Sequence, residues 1–358
     1  MTFTLNEEQN LLKDAARDFC REQAPVTRLR KMRDDKKNGR DPELWAEMAA
    51  MGWAGILVPE EFGGAGLGYV GLGVVLEQSG RTLVASPLLS TAMIGASALM
   101  LGGTDSQKKE WLPKIAAGEC IVAFAVDESA HHAPNKSTLK FAGGKLSGVK
   151  RYVADGHIAD LFIVAGKDGL YLVKADAAGV TKRELITVDS RGAADITFEN
   201  APAEALNGGA ELVQKVLDRA AIGVAAEMIG QAQEAFEITG EYLKTRKQFG
   251  QVIGGFQALQ HRAAKMFTDM ELTRSCVMAA LDALDRDAKD VSEYASLAKA
   301  RAADTLHLVT NEFVQMHGGI GMTDAHDAGL YLKRARVAEA LYGGAAYHRD
   351  RYAKLLGF

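Results

Sequence analysis

The sequence predicts an α+β protein with an N-terminal α-helical domain, a central antiparallel β-sandwich or β-barrel domain, and a C-terminal four-helix bundle. Signals for helix initiation recur up to about residue 118. Short runs rich in β-branched residues, separated by Gly, Asp and Asn, follow up to about residue 205. Long Ala-rich amphipathic runs return from about residue 209. We therefore expect the domains to cover residues 1–118, 119–208 and 209–358.

Three N-cap signals support the helical N-terminal domain. They are Asn6 with Gln9, Asp41 with Pro42, and Thr104 with Gln107. The first predicts a helix through about Gln23, and the second a helix through Met51. Residues 58–68 contain G-x-G elements, but no βαβ unit surrounds them, so we interpret them as a connection between helices rather than a phosphate loop.

The central domain contains six strand candidates, at residues 121–126, 138–141, 145–149, 161–165, 169–173 and 194–198. Their length and spacing favour an antiparallel sandwich or a small barrel. Gly143-Gly144 and Lys167-Asp168-Gly169 indicate hairpin turns. The bundle that follows contains four predicted helices, at residues 212–244, 256–284, 290–317 and 328–356.

The composition is that of an ordinary globular protein. Of the 358 residues, 47% are hydrophobic and 25% are charged, and the formal net charge of −4 gives no support for a nucleic-acid partner. Cys20, Cys120 and Cys276 lie far apart and match neither a metal motif nor a disulfide framework. Because no signal peptide or membrane-spanning run is visible, we expect a cytoplasmic protein.

The first helix of the bundle ends in a cationic segment that contains Arg246. Arginine at the C-terminal end of a helix is common, because its charge complements the helix dipole. A guanidinium at a helix break, beside an aromatic side chain, also suits a phosphate-bearing ligand. The residue pattern alone leaves both interpretations open.

Two segments around this helix break resemble motifs of the acyl-CoA dehydrogenase family, flavoenzymes that desaturate acyl-CoA thioesters. Residues 246–250 (Arg-Lys-Gln-Phe-Gly) and 256–260 (Phe-Gln-Ala-Leu-Gln) are similar to the family's Arg-x-x-Phe-Gly and Phe-Gln-x-x-Gln patterns. Residues 315–321 (Gln-Met-His-Gly-Gly-Ile-Gly) are similar to its Gln-x-His-Gly-Gly-x-Gly segment. An α–β–α order that ends in a helical bundle is also the architecture of this family.

The resemblance implies an FAD enzyme in which a carboxylate removes the α proton of an acyl-CoA thioester while a hydride leaves the β carbon. It also implies an electron-transfer flavoprotein as electron acceptor, and a homotetramer or a mixed tetramer with FAD sites across subunit boundaries. Seven residues match family positions around FAD. They are Arg246 at the diphosphate, Phe249 beside it, Gln257 in the linker pattern, Gln315, Gly318 and Gly319 near the adenosine half, and Tyr152 over a ring face.

The chain departs from the family at the position of the catalytic base. Gly343 stands where the family commonly has Glu, and Ala345 replaces the Thr that follows it by two residues. In relatives that carry the base on the first bundle helix, the matching position falls at or near Ala220. Glycine and alanine cannot accept a proton, so a base has to be found elsewhere in this chain or in a partner.

The loop that faces the flavin in the family is also altered. Residues 127–134 lack its Thr and its glycines, and Ala154 replaces a second Thr. The pair His131-His132 in this loop has no further ligand at a suitable spacing, so we expect a solvated loop and no metal site.

Glu227 is the candidate for a displaced base. It lies among apolar residues of the first bundle helix, and burial there would raise its pKa toward the range of a general base. The alternative is a buried ion pair with an Arg of a neighbouring helix, such as Arg262 or Arg336. Asp218 is a weaker second candidate.

Two functions are consistent with this sequence. The first is an FAD-dependent acyl-CoA dehydrogenase with a displaced base. The second is a non-catalytic or half-site subunit whose homologous partner supplies the base, as in pairs that act on bulky thioesters in bacterial sterol side-chain degradation. A purely structural or binding protein is a third alternative.

Overall fold

The computed structural model describes residues 4–358 and contains the predicted order of helices, strands and helices. The N-terminal helices are α1 (Glu7–Glu22), α2 (Val26–Asp34), α3 (Pro42–Ala50), α4 (Gly68–Arg81), α5 (Ala96–Gly102) and α6 (Asp105–Ala116), with a π-helical turn at Leu89–Gly95 before α5. The strands are β1 (Val122–Ala125), β2 (Lys140–Ala142), β3 (Lys145–Ala154), β4 (Leu161–Ala165), β5 (Leu170–Lys174), β6 (Val180–Leu185), β7 (Ala193–Pro202) and β8 (Glu204–Ala205). The C-terminal helices are α7 (Gly209–Thr245), α8 (Gln257–Asp285), α9 (Val291–His317), α10 (Ala328–Ala340) and α11 (Ala345–Leu355). Within residues 4–358, no helix is long and apolar enough to cross a membrane.

The three predicted N-caps are confirmed. Asn6 and Thr104 each form a complete capping box with the Gln three residues later, at the starts of α1 and α6. Asp41 accepts a hydrogen bond from the backbone N–H of Leu44 at the start of α3. These side chains satisfy N–H groups that a helix leaves without partners in its first turn, which is why the helices begin at these residues.

The chain forms two compact units. A helical unit consists of the residues up to Thr27, Gly73–Val84 and Ala221–Phe358, and a mixed unit consists of Arg28–Leu72 and Ala85–Ala220. Helices α4 and α7 contribute residues to both units. The division into three domains stays a prediction.

Two four-stranded sheets form the β part of the mixed unit, with strand orders β1-β4-β5-β8 and β2-β3-β7-β6. Buried side chains from both sheets form one apolar core, in which the rings of Phe162 and Phe198 meet edge to face at 6.1 Å. The hairpin turns predicted at 143–144 and 167–169 are confirmed, since β2 pairs with β3 and β4 with β5 in antiparallel register.

Two details of the sheets differ from the prediction. Strand β1 pairs with β4 in parallel, with Val122 opposite Leu161, whereas only antiparallel pairing was expected. The chain makes this parallel pair by crossing through β2 and β3, which belong to the other sheet. Strand β6 was missed because its residues are mostly charged and exposed, so it lacks the apolar alternation of a core strand.

The fourth predicted bundle helix, 328–356, is wrong as a single helix. The chain leaves the helical conformation at Leu341–Gly344, a segment that we call the α10–α11 turn. Tyr342 and Gly343 have φ of +54° and +101° there, and neither value is compatible with a right-handed helix. The fourth run is therefore two helices, α10 and α11, and both contact α9.

Two glycines allow α4 and α7 to approach closely within the helical unit. A Cβ on Gly80 would lie 2.1 Å from the carbonyl oxygen of Glu227, and a Cβ on Gly230 would lie 1.8 Å from that of Glu77. Both distances are far below van der Waals contact, so only glycine fits at these positions. The crossing places Glu227 in the interior of the unit.

Candidate functional site

The cationic segment after α7 forms a short hairpin. Lys247–Gln248 (β9) pairs with Gln251–Val252 (β10) in antiparallel register. The two residues of the turn, Phe249 and Gly250, have φ of +52° and +80°, as in a type I′ turn. A left-handed conformation is unfavourable for Phe by about 1–2 kcal/mol, and its side chain is 92% exposed. The hairpin therefore presents an aromatic ring on a strained backbone, away from the core of its own chain.

Arg246 lies at the base of this hairpin. Its backbone N–H donates to Tyr242 O at 2.9 Å, and its carbonyl accepts from the N–H of Ile253 at 2.9 Å, so both backbone groups are fixed. The side chain is exposed, and among residues 4–358 no carboxylate forms an ion pair with it. Gln257, which begins α8, is exposed as well.

The second segment lies at the end of α9, where Gln315, Gly318 and Gly319 are all exposed. Gly318 has a φ of +61° and ends the helix. A Cβ added to Gly318 or Gly319 would meet no atom of this chain within 4 Å. By contrast, a Cβ on Gly321 would lie 2.8 Å from Val314 O, so the packing of the chain itself explains that glycine. Packing within the chain does not explain why residue 319 is a glycine. The backbone at this position is open to a ligand or another subunit.

A ring contact brings the two segments together within the helical unit. Tyr242 stacks on His317 with ring centroids 4.2 Å apart, and its hydroxyl lies 3.5 Å from His317 O. His317 Nδ1–H donates to Phe313 O at 2.8 Å, and burial lowers the pKa of this imidazole. Because Tyr242 is one helical turn before Arg246 and His317 directly precedes Gly318, the cationic hairpin and the open glycines lie at the same end of the helices.

Tyr152 lies in the mixed unit. It is the left-handed residue of a bulge in β3, with a φ of +53°, and its side chain is 58% exposed. Its backbone N–H donates to Asp195 Oδ1 at 3.1 Å, and Arg151 forms an ion pair with the same carboxylate. The backbone of the bulge is thus held in place while the phenol ring is available to a ligand.

The loop after β1 is ordered by its own carboxylates. Asp127 holds the His132 imidazole at 3.0 Å, and Glu128 holds the buried ammonium of Lys150 at 2.9 Å. Burial alone would raise the pKa of Glu128, but hydrogen bonds from Lys150, Ser137 and Thr138 lower it to about 2. The expectation of a solvated His pair is correct for His131 and wrong for His132, whose side chain is only 6% exposed. No group of three or more His, Cys, Asp or Glu suited to a metal occurs in the part of the chain that the structure describes.

Gly343, at the family position of the base, is enclosed by neighbouring side chains. A Cβ there would lie 2.5 Å from Cδ1 of Tyr347 and 3.0 Å from Nε2 of His348. Ala220, at the alternative position of the base, is fully buried. Neither position carries a proton acceptor.

Glu227 is 2% exposed and forms a bidentate ion pair with Arg334 of α10, at 3.0 and 3.1 Å. Gln231 Nε2 donates to the same carboxylate at 3.0 Å. The ion-pair alternative is therefore the arrangement found, but its partner is neither Arg262 nor Arg336. The reason is the rotation of each helix, which directs Arg262 to Glu312 and Arg336 to Glu339.

Asp218, the second candidate, is buried and accepts a hydrogen bond from Gln214 at 3.3 Å. The structure thus gives both candidate acids partners within the chain. A catalytic role for Glu227 stays a prediction.

Lys299 is a buried charged residue that the sequence analysis missed. Its ammonium donates to Glu339 O at 3.0 Å and to Gly343 O at 2.9 Å, at the end of α10. Burial lowers the pKa of Lys299 to about 7, against the opposing effect of Glu339. The only signal in the sequence was a lone Lys between Ala298 and Ala300, and this does not show which way the side chain points.

Comparisons with known proteins match most of the chain. Residues 6–119 match the model described as "Acyl-CoA dehydrogenase, N-terminal domain", and residues 207–357 match "Acyl-CoA dehydrogenase, C-terminal domain". Acyl-CoA dehydrogenase IpdE2 of Mycolicibacterium smegmatis is 33% identical over 340 residues, which are 95% of this chain and 96% of that protein.

Two solved structures are similar over nearly their full length. One, described as the electron transferring flavoprotein of Acidaminococcus fermentans, has a TM-score of 0.92 at 28% identity and covers 100% of both chains. The other is a variant of the Tcur3481-Tcur3483 steroid ACAD, with a TM-score of 0.90 at 32% identity, covering 99% of this chain and 98% of that one.

Proposed function

Because this chain belongs to the acyl-CoA dehydrogenase family, we propose that it works in FAD-dependent desaturation of an acyl-CoA thioester between the α and β carbons. The observation that carries this proposal is the pairing of an exposed Arg246, without a carboxylate partner in residues 4–358, with the open backbone at Gly318 and Gly319. An exposed guanidinium suits a diphosphate, and backbone without a side chain allows a ligand to approach closely.

The residues of the chain fit part of an FAD site. Arg246 and Phe249 would hold the diphosphate, with Gln257 near them, while Gln315, Gly318 and Gly319 would approach the adenosine half. Tyr152 would cover a ring face. When bound, FAD would supply the acceptor for the hydride that leaves the β carbon. The loop after β1 fits less well, because residues 127–134 lack the Thr and the glycines of the family pattern.

The proposal includes a cytoplasmic enzyme that passes its electrons to an electron-transfer flavoprotein and assembles as a homotetramer or a mixed tetramer. The similarity to a chain from a structure described as an electron transferring flavoprotein supports the proposed electron acceptor. The similarity to a steroid ACAD named by two components supports a mixed assembly and a bulky acyl-CoA substrate.

A half-site subunit is the second candidate function, and the surroundings of Gly343 favour it. Position 343 carries no acid, its side-chain space is occupied, and the acid at Glu227 is bound by Arg334. In this version of the proposal the chain contributes Arg246 and Phe249 to an FAD site, and a homologous partner supplies the base.

The first test is the absorbance spectrum of the purified chain before and after anaerobic addition of a panel of acyl-CoA thioesters. A flavin spectrum that bleaches would support an autonomous dehydrogenase. A colourless chain that gains flavin and bleaching only when it is co-expressed with a neighbouring homologue would support the half-site function. Absence of flavin from the chain in both preparations would contradict both.

A further inference from the structure

The α10–α11 turn is held rigidly by side chains from two helices. Lys299 of α9 donates to the carbonyl of Gly343 at 2.9 Å and to that of Glu339 at 3.0 Å. His348 of α11 holds the carbonyl of Tyr342 through Nε2 at 2.9 Å. Lys299 and His348 are both buried, so water does not compete for these hydrogen bonds. The backbone at position 343 therefore cannot move aside at low cost.

The space that a side chain at position 343 would enter is already occupied. The nearest atom to a Cβ at position 343 is Cδ1 of Tyr347, at 2.5 Å, and Cε1 of the same ring lies at 3.1 Å. Cδ1 is close to the stem of the side chain and not at its flexible end, so a small rotation of the ring does not clear the space. Position 344, by contrast, has only Glu339 O nearby, at 3.8 Å.

We propose that Tyr347 is a plug, whose ring fills the space that the side chain of a catalytic carboxylate at position 343 would need. Gly343→Glu alone would therefore not restore a catalytic carboxylate, because the ring of Tyr347 would still occupy the space of its side chain. This inference rests on the proposed function, in which position 343 is the place of the catalytic base. Because the ring of Tyr347 fills that space, another residue or another subunit has to abstract the proton.

A double-mutant cycle on the free energy of unfolding tests the plug without any need for substrate. Gly343→Ala, Tyr347→Ala and the double variant are unfolded in urea with the wild-type chain. We expect Gly343→Ala to lower the folding equilibrium constant at least tenfold, which corresponds to about 1.4 kcal/mol. Part of this loss comes from the φ of +101° and persists in any background. The part caused by the ring should disappear in the Tyr347→Ala background.

Gly344→Ala is the matched control. It lies in the same turn, has a φ of −79°, and its Cβ would have open space, so we expect it to leave the folding equilibrium constant within about twofold. Strictly additive effects of Gly343→Ala and Tyr347→Ala would overturn the proposal.

The carboxylate itself is tested with Gly343→Glu in both backgrounds. We expect the single variant to be strongly destabilised or insoluble, and the Tyr347→Ala background to recover a folded chain. Equal tolerance of the Gly343→Glu substitution with and without the ring would also overturn the plug. The proposed function is judged separately, since a chain that never acquires flavin would contradict that function while the stability cycle would still report on Tyr347.

Discussion

Glu227 and Arg334 form an ion pair enclosed by helices, and removal of one partner leaves the other charge buried. Such a pair adds little to stability compared with apolar side chains of the same size, but breaking it on one side is costly. The bidentate geometry and the bond from Gln231 also favour an ionised carboxylate. These contacts connect α7 to α10.

We expect Glu227→Gln to lower the free energy of unfolding by about 3 kcal/mol, because it removes the carboxylate charge that faces the buried Arg334 guanidinium. Urea denaturation measures the loss. The double substitution Glu227→Met with Arg334→Met is the control and should recover most of the stability. A base would behave differently, since Glu227→Gln would then abolish turnover while leaving stability unchanged.

Lys299 gives the chain a predictable dependence on pH. Its pKa of about 7 in the folded state lies below the ordinary value of 10.5. Between these values the unfolded chain binds more protons than the folded chain at this residue, so the folded state gains stability as the pH rises from about 7 to about 10.5. Below pH 7 the residue is protonated in both states and its contribution is constant.

We expect the difference in unfolding free energy between the wild-type chain and Lys299→Met to change in favour of the wild type between pH 7 and pH 9.5. Urea unfolding of both chains across this range isolates the residue, because the other titrating groups are shared. A difference that stays constant with pH would mean that Lys299 keeps its ordinary pKa when folded.

At the scale of elements, the crossing of α4 and α7 depends on the two glycines that each face a carbonyl of the opposite helix. Glycine within a helix is normally unfavourable by up to about 1 kcal/mol relative to alanine. Close approach of the helices offsets this at Gly80 and Gly230, whereas Gly240 of the same helix α7 has no atom near its missing Cβ. Helix α7 therefore contains one glycine, Gly230, that packing requires and another, Gly240, that packing does not require.

We predict opposite effects for these two glycines of α7. Gly230→Ala should destabilise the chain by about 2 kcal/mol, since the added methyl group forces the helices apart. Gly240→Ala should stabilise it by roughly 0.5–1 kcal/mol through helix propensity. Thermal unfolding of both variants beside the wild type measures the contrast, and a loss of stability at Gly240 as large as that at Gly230 would contradict the role of the crossing.

The hairpin after α7 shows how an element can be positioned by its neighbours while its tip is left exposed. The stack of Tyr242 on His317 anchors its base, and the T-shaped contact of Phe249 with Phe256 is the ring contact at its tip. The sequence indicated a break with glycines here but not a type I′ hairpin, because Phe is a rare residue in a left-handed turn.

At the scale of the whole molecule, the sequence predicted what depends on local chemistry. The capping side chains at Asn6 and Thr104 and the hairpin at Gly143-Gly144 act on backbone groups only a few residues away. The partner of Glu227, the enclosure of Gly343 by Tyr347 and the orientation of Lys299 depend on how helices rotate against one another. A residue pattern contains no such information, so these features needed the structure.

Binding of the proposed cofactor should stabilise the folded chain as a whole. FAD at about 100-fold its dissociation constant would add about 2.7 kcal/mol to the free energy of unfolding. We expect added FAD to raise the melting temperature of the chain, or of its complex with a partner, and Arg246→Ala to remove most of this rise. Lys247→Ala, an adjacent exposed cation, is the control and should retain it. An equal loss in both variants would indicate a general charge effect.

The strained turn at Phe249 and Gly250 also provides a reporter of assembly. Chymotrypsin cleaves after aromatic residues, and a protruding two-residue turn with an exposed Phe is a favourable substrate for it. Limited digestion of the isolated chain should therefore cut first after Phe249, between α7 and α8. If this ring inserts into a neighbouring subunit, the same bond becomes resistant as the complex forms, and the rate of cleavage measures the fraction of assembled chains.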